Sequence, residues 1–361
     1  MRTYLRNYEI TEGDVWRALA SWLSGESGRK NGHRIAEEHG GQAQLVSEIF
    51  REMRGRCLSF RPIRRYRRVE PTNGKVRVIG VESVKQQVCD YLVCGILAPL
   101  YDAKLGFYQV ASVSGKGQRL CRGALRRWVR GTRHHVKLDV RQCYPSTSCD
   151  VVMRLYERYV GSADVLYVIS AILATYGGHL EIGSYFSLRT MQLVLSFGYH
   201  HVEGLRKVRR GRSVPLVAHQ IWHLDDVLLV GRDKRDLKAA ARSLGRYLRD
   251  EFGLSIKPWK VARTSDVEPL DLGGWVVRDR RCTLRGGTFV RGRRAFSRFA
   301  RAPSVRLARR CAAHWGWFRH GDCLRVRRRL GMDRTFAHAR SVISRHDRLE
   351  RHAENTVGDA A

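Results

Sequence analysis

Acidic residues are scarce in this sequence. Its 361 residues carry 34 Asp and Glu against 67 Lys and Arg, a formal net charge of +33. The excess runs along the chain and is not gathered in a tail. Self-repulsion of this size costs stability unless a partner of opposite charge neutralises it, which points to a polyanion, nucleic acid before an acidic membrane. Paired cysteine motifs are missing as well. The nine cysteines are odd in number and show no C-x-x-C spacing, so neither a disulfide framework nor a zinc ribbon is expected. Cys311, His314, His320 and Cys323 lie close together, but their spacing is irregular and two Trp intervene, which reads as packing. No apolar run reaches the length of a membrane span, and the first residues show no signal-peptide core. A reducing, cytoplasmic compartment and no membrane partner are the expectation. A nucleotide P-loop is also absent. Gly115-Lys116-Gly117 permits close approach of backbone to a phosphate chain but lacks the G-x-x-x-x-G-K-[ST] spacing.

What is present centres on His219 to Gly231. Two apolar runs, each of strand length, flank Asp225 and Asp226. Adjacent aspartates repel and are poor strand formers, so they fit at a hairpin tip, where a cation makes their charge tolerable. Taken alone, a solvated turn is the simpler reading. A third carboxylate changes that. Val136-Lys-Leu-Asp-Val140 reads as a short strand in which Asp139 takes a place the apolar alternation would give to the core. Asp139 with Asp225 would supply the two carboxylates that two-metal phosphoryl transfer needs, if their strands are neighbours.

The remaining chain reads as a mixed α+β protein. Residues 11 to 55 are expected to be helical, with Thr11 and Asp14 as a capping box and a Gly-rich break from 25 to 41. Asn73-Gly74 between basic, β-branched runs predicts a hairpin, with Lys75 and Arg77 on one strand face, able to hold phosphates. Helices are expected over 83–100, 188–201 and 236–252, the second opened by Gly183 and Ser187, where small residues would let a base or sugar lie against the backbone. Arg206 to Arg212 reads as a basic turn. Residues 285 to 345 read as arginine-rich helices with one packed face and one face for a phosphate backbone, and 346–361 as a disordered tail.

In order, these segments resemble the reverse transcriptase family over about residues 60 to 330. Lys137-Leu-Asp-Val-Arg-Gln-Cys-Tyr-Pro-Ser146 resembles its first catalytic motif, and His223-Leu-Asp-Asp226 its aromatic-x-Asp-Asp motif with His in the usual Tyr place. Leu270-Asp-Leu-Gly-Gly-Trp275 is similar to the primer-grip strand, and His314 to Cys323 to the start of a bacterial-type thumb. The resemblance implies a right hand: an N-terminal helical segment (1–55), fingers (56–130), palm (131–280, with an insertion at about 150–182) and helical thumb (281–345). It implies an RNA-directed DNA polymerase that adds deoxynucleotides by two-Mg²⁺ phosphoryl transfer, with Mn²⁺ able to substitute. Asp139, Asp225 and the carbonyl of Val140 would bind the ions, and Asp226 would support them. Lys75 and Arg77 would hold the triphosphate, with Gly183 and Ser187 beside the nucleotide. Tyr144 would stack under the sugar and exclude a 2′-hydroxyl. Lys257 or Lys260 would face the leaving pyrophosphate. Gly115, Lys116, Gly117, Gly273, Gly274 and Trp275 would contact nucleic acid. Partners implied are an RNA template (a dedicated non-coding RNA being one form), a DNA or RNA primer and dNTPs, with an oligomer or accessory protein open.

Within the family, Ile182-Gly-Ser-Tyr-Phe-Ser-Leu188 resembles the Ile-Gly-x-x-x-Ser-Gln motif of diversity-generating retroelements, but Leu188 stands in place of Gln. The group II intron form is absent, which leaves a stand-alone bacterial or phage enzyme of the antiviral-defence kind as the expectation. Its alternatives are a diversity-generating enzyme, a template-independent nucleotidyl transferase, and a nucleic-acid-binding protein with a silent palm.

Overall fold

The computed structural model describes residues 3–70, 74–279 and 281–358. They form helices and small antiparallel sheets. The chain divides into two compact units. One comprises residues up to 116 together with 136–261, and the other 117–135 together with the chain from 262. The N-terminal helices belong to the first unit, and the helix Gly117–Trp128, expected in the fingers, falls with the C-terminal helices.

In the first unit, helix Glu12–Ser24 begins at the anticipated capping box. Thr11 Oγ1 accepts the Asp14 N–H at 3.3 Å, and Asp14 accepts the Thr11 N–H at 2.8 Å. Its buried stripe, Val15, Leu19 and Trp22, joins the core, and the Trp22 indole N–H donates to Gln87 on helix Val84–Ile96 at 3.0 Å. That second helix was expected to continue to residue 100. It stops at Leu97, and Ala98–Lys104 is a separate helix. Pro99 lies in the first turn of the new helix, where its missing N–H costs nothing. The Gly-rich break likewise holds two short helices, Glu26–Asn31 and Arg34–His39.

The sheet that positions the site has four strands in the order His219–His223, Asp226–Gly231, His134–Asp139, Val261–Arg263. Val227 to Val230 are fully buried, as a strand covered on both faces requires. Helix Tyr185–Gly204 starts three residues earlier than expected because Ser184 caps it, accepting the Ser187 N–H at 3.0 Å. Helix Lys234–Phe252 is capped by Asp233 and ends at Gly253, whose φ of 68° suits the left-handed stop. Two basic hairpins complete the unit. Arg64–Val69 pairs with Val76–Val81, and Arg206–Arg209 with Arg212–Pro215. The Asn73-Gly74 turn residue Asn73 lies outside the described residues.

The second unit packs the short strands Leu270–Leu272, Trp275–Val277 and Cys282–Leu284 with helices Gly286–Arg301, Val305–His320, Leu324–Arg329 and Met332–Gly358. Phe296, Phe299, Cys311 and Phe318 are buried, while most arginines of these helices are exposed. Helix Met332–Gly358 carries the chain through most of the segment expected to be disordered; residues 359–361 lie outside the described residues.

Candidate active site

The strand pair His219–His223 and Asp226–Gly231 is closed by a two-residue turn, Leu224-Asp225, since His223 pairs directly with Asp226. Asp225 therefore sits on the tip, and Asp226 opens the outgoing strand. Leu224 holds a φ of 53°, a left-handed conformation that costs a non-glycine residue about 1 kcal/mol or more. The turn is fixed from the neighbouring strand. The Val140 N–H donates to the Asp225 carbonyl at 3.0 Å, one residue beyond Asp139. On the other side, the Lys257 N–H donates to the Asp139 carbonyl at 2.9 Å and the Arg141 N–H to Ser255 at 2.8 Å. Three segments thus present Asp139, Asp225 and Lys257 at one end of the sheet.

The side chains share one electrostatic field. Burial, then the charges of Asp226 and Asp139, push the Asp225 carboxyl above the usual carboxylate range, and the cationic Arg77 opposes the rise. Lys257 Nζ donates to Asp139 Oδ2 at 2.8 Å, and it lies 2.8 Å from Oδ1. Asp139 Oδ1 is buried, with the Lys257 ammonium beside it. Lys137 Nζ lies 3.6 Å from Asp226 Oδ1. Two of the three carboxylates thus have lysine counter-ions, and among the described residues no three His, Cys, Asp or Glu side chains form a ready metal cage. The donor set fits a hard divalent cation even so. It is all oxygen, and burial together with the neighbouring carboxylates raises one member's affinity for protons. Lys257 supplies the compensating positive charge from within the chain.

Tyr144 stands close by. It lies in the short helix Cys143–Ser146, reached through Gln142 at φ 44°, and packs against the core. Burial first, then Cys143 and Asp225, push its phenol far up, and burial with Asp225 raises the Cys143 thiol to about 12. Both therefore feel the carboxylate tip. Arg77 lies on Val76–Val81 and is ion-paired with Glu70. Lys75 precedes that strand and is exposed. Lys257, rather than the exposed Lys260, meets Asp139.

Several other expected positions have partners within the chain. Gly183, at φ 119°, lies so near the strand that a Cβ would stand 2.5 Å from the Gly80 carbonyl oxygen. The backbone of Gly80 occupies the room a side chain would need. Ser187 is fully buried, and its hydroxyl accepts the Glu181 N–H at 3.2 Å. Lys116 turns back to donate to the Gly106 carbonyl at 2.9 Å and lies 5.6 Å from the Phe107 ring centre, while Gly115 and Gly117 have positive φ and open space around them. In the second unit, Gly273 and Gly274 make the left-handed turn before Trp275. Trp275 is 2% exposed, donates to Gln118 at 2.9 Å and lies 4.8 Å from the Trp317 ring. Its indole packs the unit's core beside a 180 Å³ cavity walled by Arg119, Arg122 and His320.

Sequence reasoning missed Lys137 and Glu70, whose partners depend on pairing across strands. The alternation of Lys137 with Val136 and Leu138 was the available signal for a side chain on the solvent face of the carboxylate strand. It also took Arg206 to Arg212 for a turn, although Arg210-Gly211 between β-branched residues is a hairpin signal. No family model matches the chain, and no curated protein matches it.

Proposed function

We propose that this protein is an RNA-directed DNA polymerase of right-hand architecture, which extends a primer with deoxynucleotides. The observation that carries the reading is the Val140–Asp225 hydrogen bond, which joins the end of one carboxylate-bearing strand to the carboxylate-bearing turn of another. Sequence-distant aspartates gathered at a sheet end, at the expense of mutual repulsion, make sense for a reaction between phosphates and hydroxyls.

In that reaction a primer 3′-hydroxyl oxygen bonds to the α-phosphorus of a nucleotide, and the bond to the bridging oxygen of pyrophosphate breaks. Asp139, Asp225 and the Val140 carbonyl would hold two Mg²⁺, with Asp226 in support. When bound, the ions offset charge on the entering and leaving oxygens. Arg77 exchanges Glu70 for the triphosphate, a stronger, more highly charged acceptor. Lys257 is displaced from Asp139 and becomes available to the leaving group, where an ammonium can neutralise charge or give up its proton. The Tyr144 ring lies under the sugar and leaves no room for a 2′-hydroxyl.

Primer extension on an RNA template tests the reading. Wild type should extend the primer with dNTPs and require a divalent cation, and Asp139→Asn should abolish extension. Undiminished synthesis by the variant would remove the site. Synthesis indifferent to the template would replace the polymerase with a terminal transferase.

A further inference from the structure

The hairpin Arg206–Pro215 has no part in the site just described, and it is built against its own stability. Its turn residues, Arg210 and Gly211, both have positive φ, 50° and 72°. Gly211 accepts this freely, but an arginine does not. Arg209 and Arg212 are directly opposed across the strands, where like charges are unfavourable. Among the described residues, none of Arg209, Arg210 and Arg212 meets an acidic side chain, and Val208 beside them is 78% exposed. Folding alone gives no reason for three unpaired guanidiniums on a tight turn.

The hairpin is nevertheless held in place. Lys207 Nζ donates to Asp236 at 2.6 Å, which fixes it against the first turn of helix Lys234–Phe252. Lys234, Arg235 and Lys238 on that helix are exposed and extend the positive surface. At the base of the hairpin, the Ala218 N–H donates to the Val230 carbonyl at 2.9 Å, at the opposite end of the strand pair from Asp225. Five residues of strand separate that end from the turn, about 16 Å.

We propose that this hairpin is a docking element for the sugar-phosphate backbone of a duplex nucleic acid, separate from the carboxylate site. A two-stranded ribbon is as wide as a duplex groove, and guanidiniums pair with phosphate oxygens in a fork. The segment from Leu205 to Pro215 contains no aromatic residue, so it offers unpaired bases no stacking surface. That favours a duplex over a single strand, with recognition through charge and shape and no base readout.

The test is fluorescence anisotropy with the full-length protein, without nucleotide or divalent cation. Labelled 20-base-pair DNA, RNA and hybrid duplexes are compared with a single strand of the same length over a series of salt concentrations. The triple variant Arg209→Gln, Arg210→Gln, Arg212→Gln should bind at least one duplex about 10- to 100-fold more weakly, with the slope of log affinity against log salt reduced by roughly 2 to 3. Single-strand binding should change by less than about threefold. The arm with the largest loss identifies the duplex. The matching triple lysine variant should regain most of the affinity, because the contact is to charge. Equal loss on duplex and single strand, or no loss, would overturn the proposal. Should the triple glutamine variant fail to fold, Arg212→Gln alone carries the same test, with about one unit of slope. Because no catalysis is measured, the polymerase reading can fail while the docking element stands, and the reverse.

Discussion

Two antiparallel hairpins follow one another in the chain, and each gathers like charges at its turn. Arg206–Pro215 presents Arg209, Arg210 and Arg212; His219–Gly231 presents Asp225 and Asp226. Each turn includes a non-glycine residue in the left-handed region, Arg210 in one and Leu224 in the other. They differ in burial. The strands of the anionic hairpin are core, with Trp222 1% exposed and Val227 to Val230 at 0%, whereas Val208 in the cationic hairpin is 78% exposed. Repulsion at the half-buried tip is screened less than in water, so it favours a compact, closely held counter-ion. Repulsion at the exposed tip is screened by water and salt, so it tolerates a diffuse partner such as a phosphate backbone. The two roles proposed above thus rest on one topology, a chemical site where the strands are buried and a docking surface where they are exposed.

Exchanging the charges should separate the two roles. The largest effect is expected from Asp225→Asn or Asp139→Asn. Each should cut extension by about 10³-fold or more, about 4 kcal/mol of barrier, while duplex affinity stays within about twofold. Loss of duplex binding in these variants would break the separation. Packing should divide the hairpins next. Trp222→Ala empties the space under the anionic pair and should cost about 3–5 kcal/mol in urea unfolding. Val208→Ala in the cationic hairpin should stay within about 0.5 kcal/mol. Comparable losses would mean that the exposed hairpin is packed in solution. Tyr144→Ala comes third. It should let ribonucleotides in, lowering discrimination against them by about 10- to 100-fold in paired kcat/KM measurements, and a hairpin variant should leave that ratio unchanged.

How much of this the sequence discloses depends on the range of the interaction. The Asp-Asp turn was legible because a local pattern, apolar runs broken by carboxylates, survives in the fold. The Thr11 capping box was legible for the same reason, since its partners lie three residues apart. The juncture at Val140 and Asp225 was only a condition in the sequence, because strand adjacency is a long-range fact. Lys257 illustrates the limit. Its proximity to the site was expected, but its ion pair with Asp139 spans 118 residues and becomes visible only when the strands are ordered. Gly183, Ser187 and Trp275 show the limit from the other direction. Each fits a motif, and each is committed to packing against Gly80, Glu181 and Gln118, partners the motif does not mention. The helix from Met332 to Gly358 runs on because a charged, Gly-free stretch supports a helix as readily as a disordered tail.

The smallest expected effect tests the comparison most directly, because it separates buried from screened repulsion without any assay of function. The Asp225 carboxyl in the folded protein titrates above the ordinary value of 3.8, first through burial and then through Asp226. Between the unfolded and folded values the native state binds more protons than the unfolded chain. Stability therefore falls as pH rises through that window, and the cost is fully present at neutral pH. Asp225→Asn removes the charge and with it the cost. In EDTA at pH 7 the variant should be more stable than wild type, on the order of 1 kcal/mol, or about 2–4 °C in Tm for a chain unit of this size. The advantage should shrink as pH falls through that window, because the wild-type carboxyl then takes up its proton. Added Mg²⁺ should reverse the order, since an ion bound at 100 times its Kd stabilises wild type by about 2.7 kcal/mol. The glutamine variant of the cationic hairpin should show no such pH dependence between 4 and 7, because arginine stays charged throughout, and its gain should vanish with salt instead. A carboxylate variant no more stable at pH 7 than at pH 4, relative to wild type, would mean that Lys257 and Lys137 already neutralise the tip, and that burial does not distinguish the two hairpins.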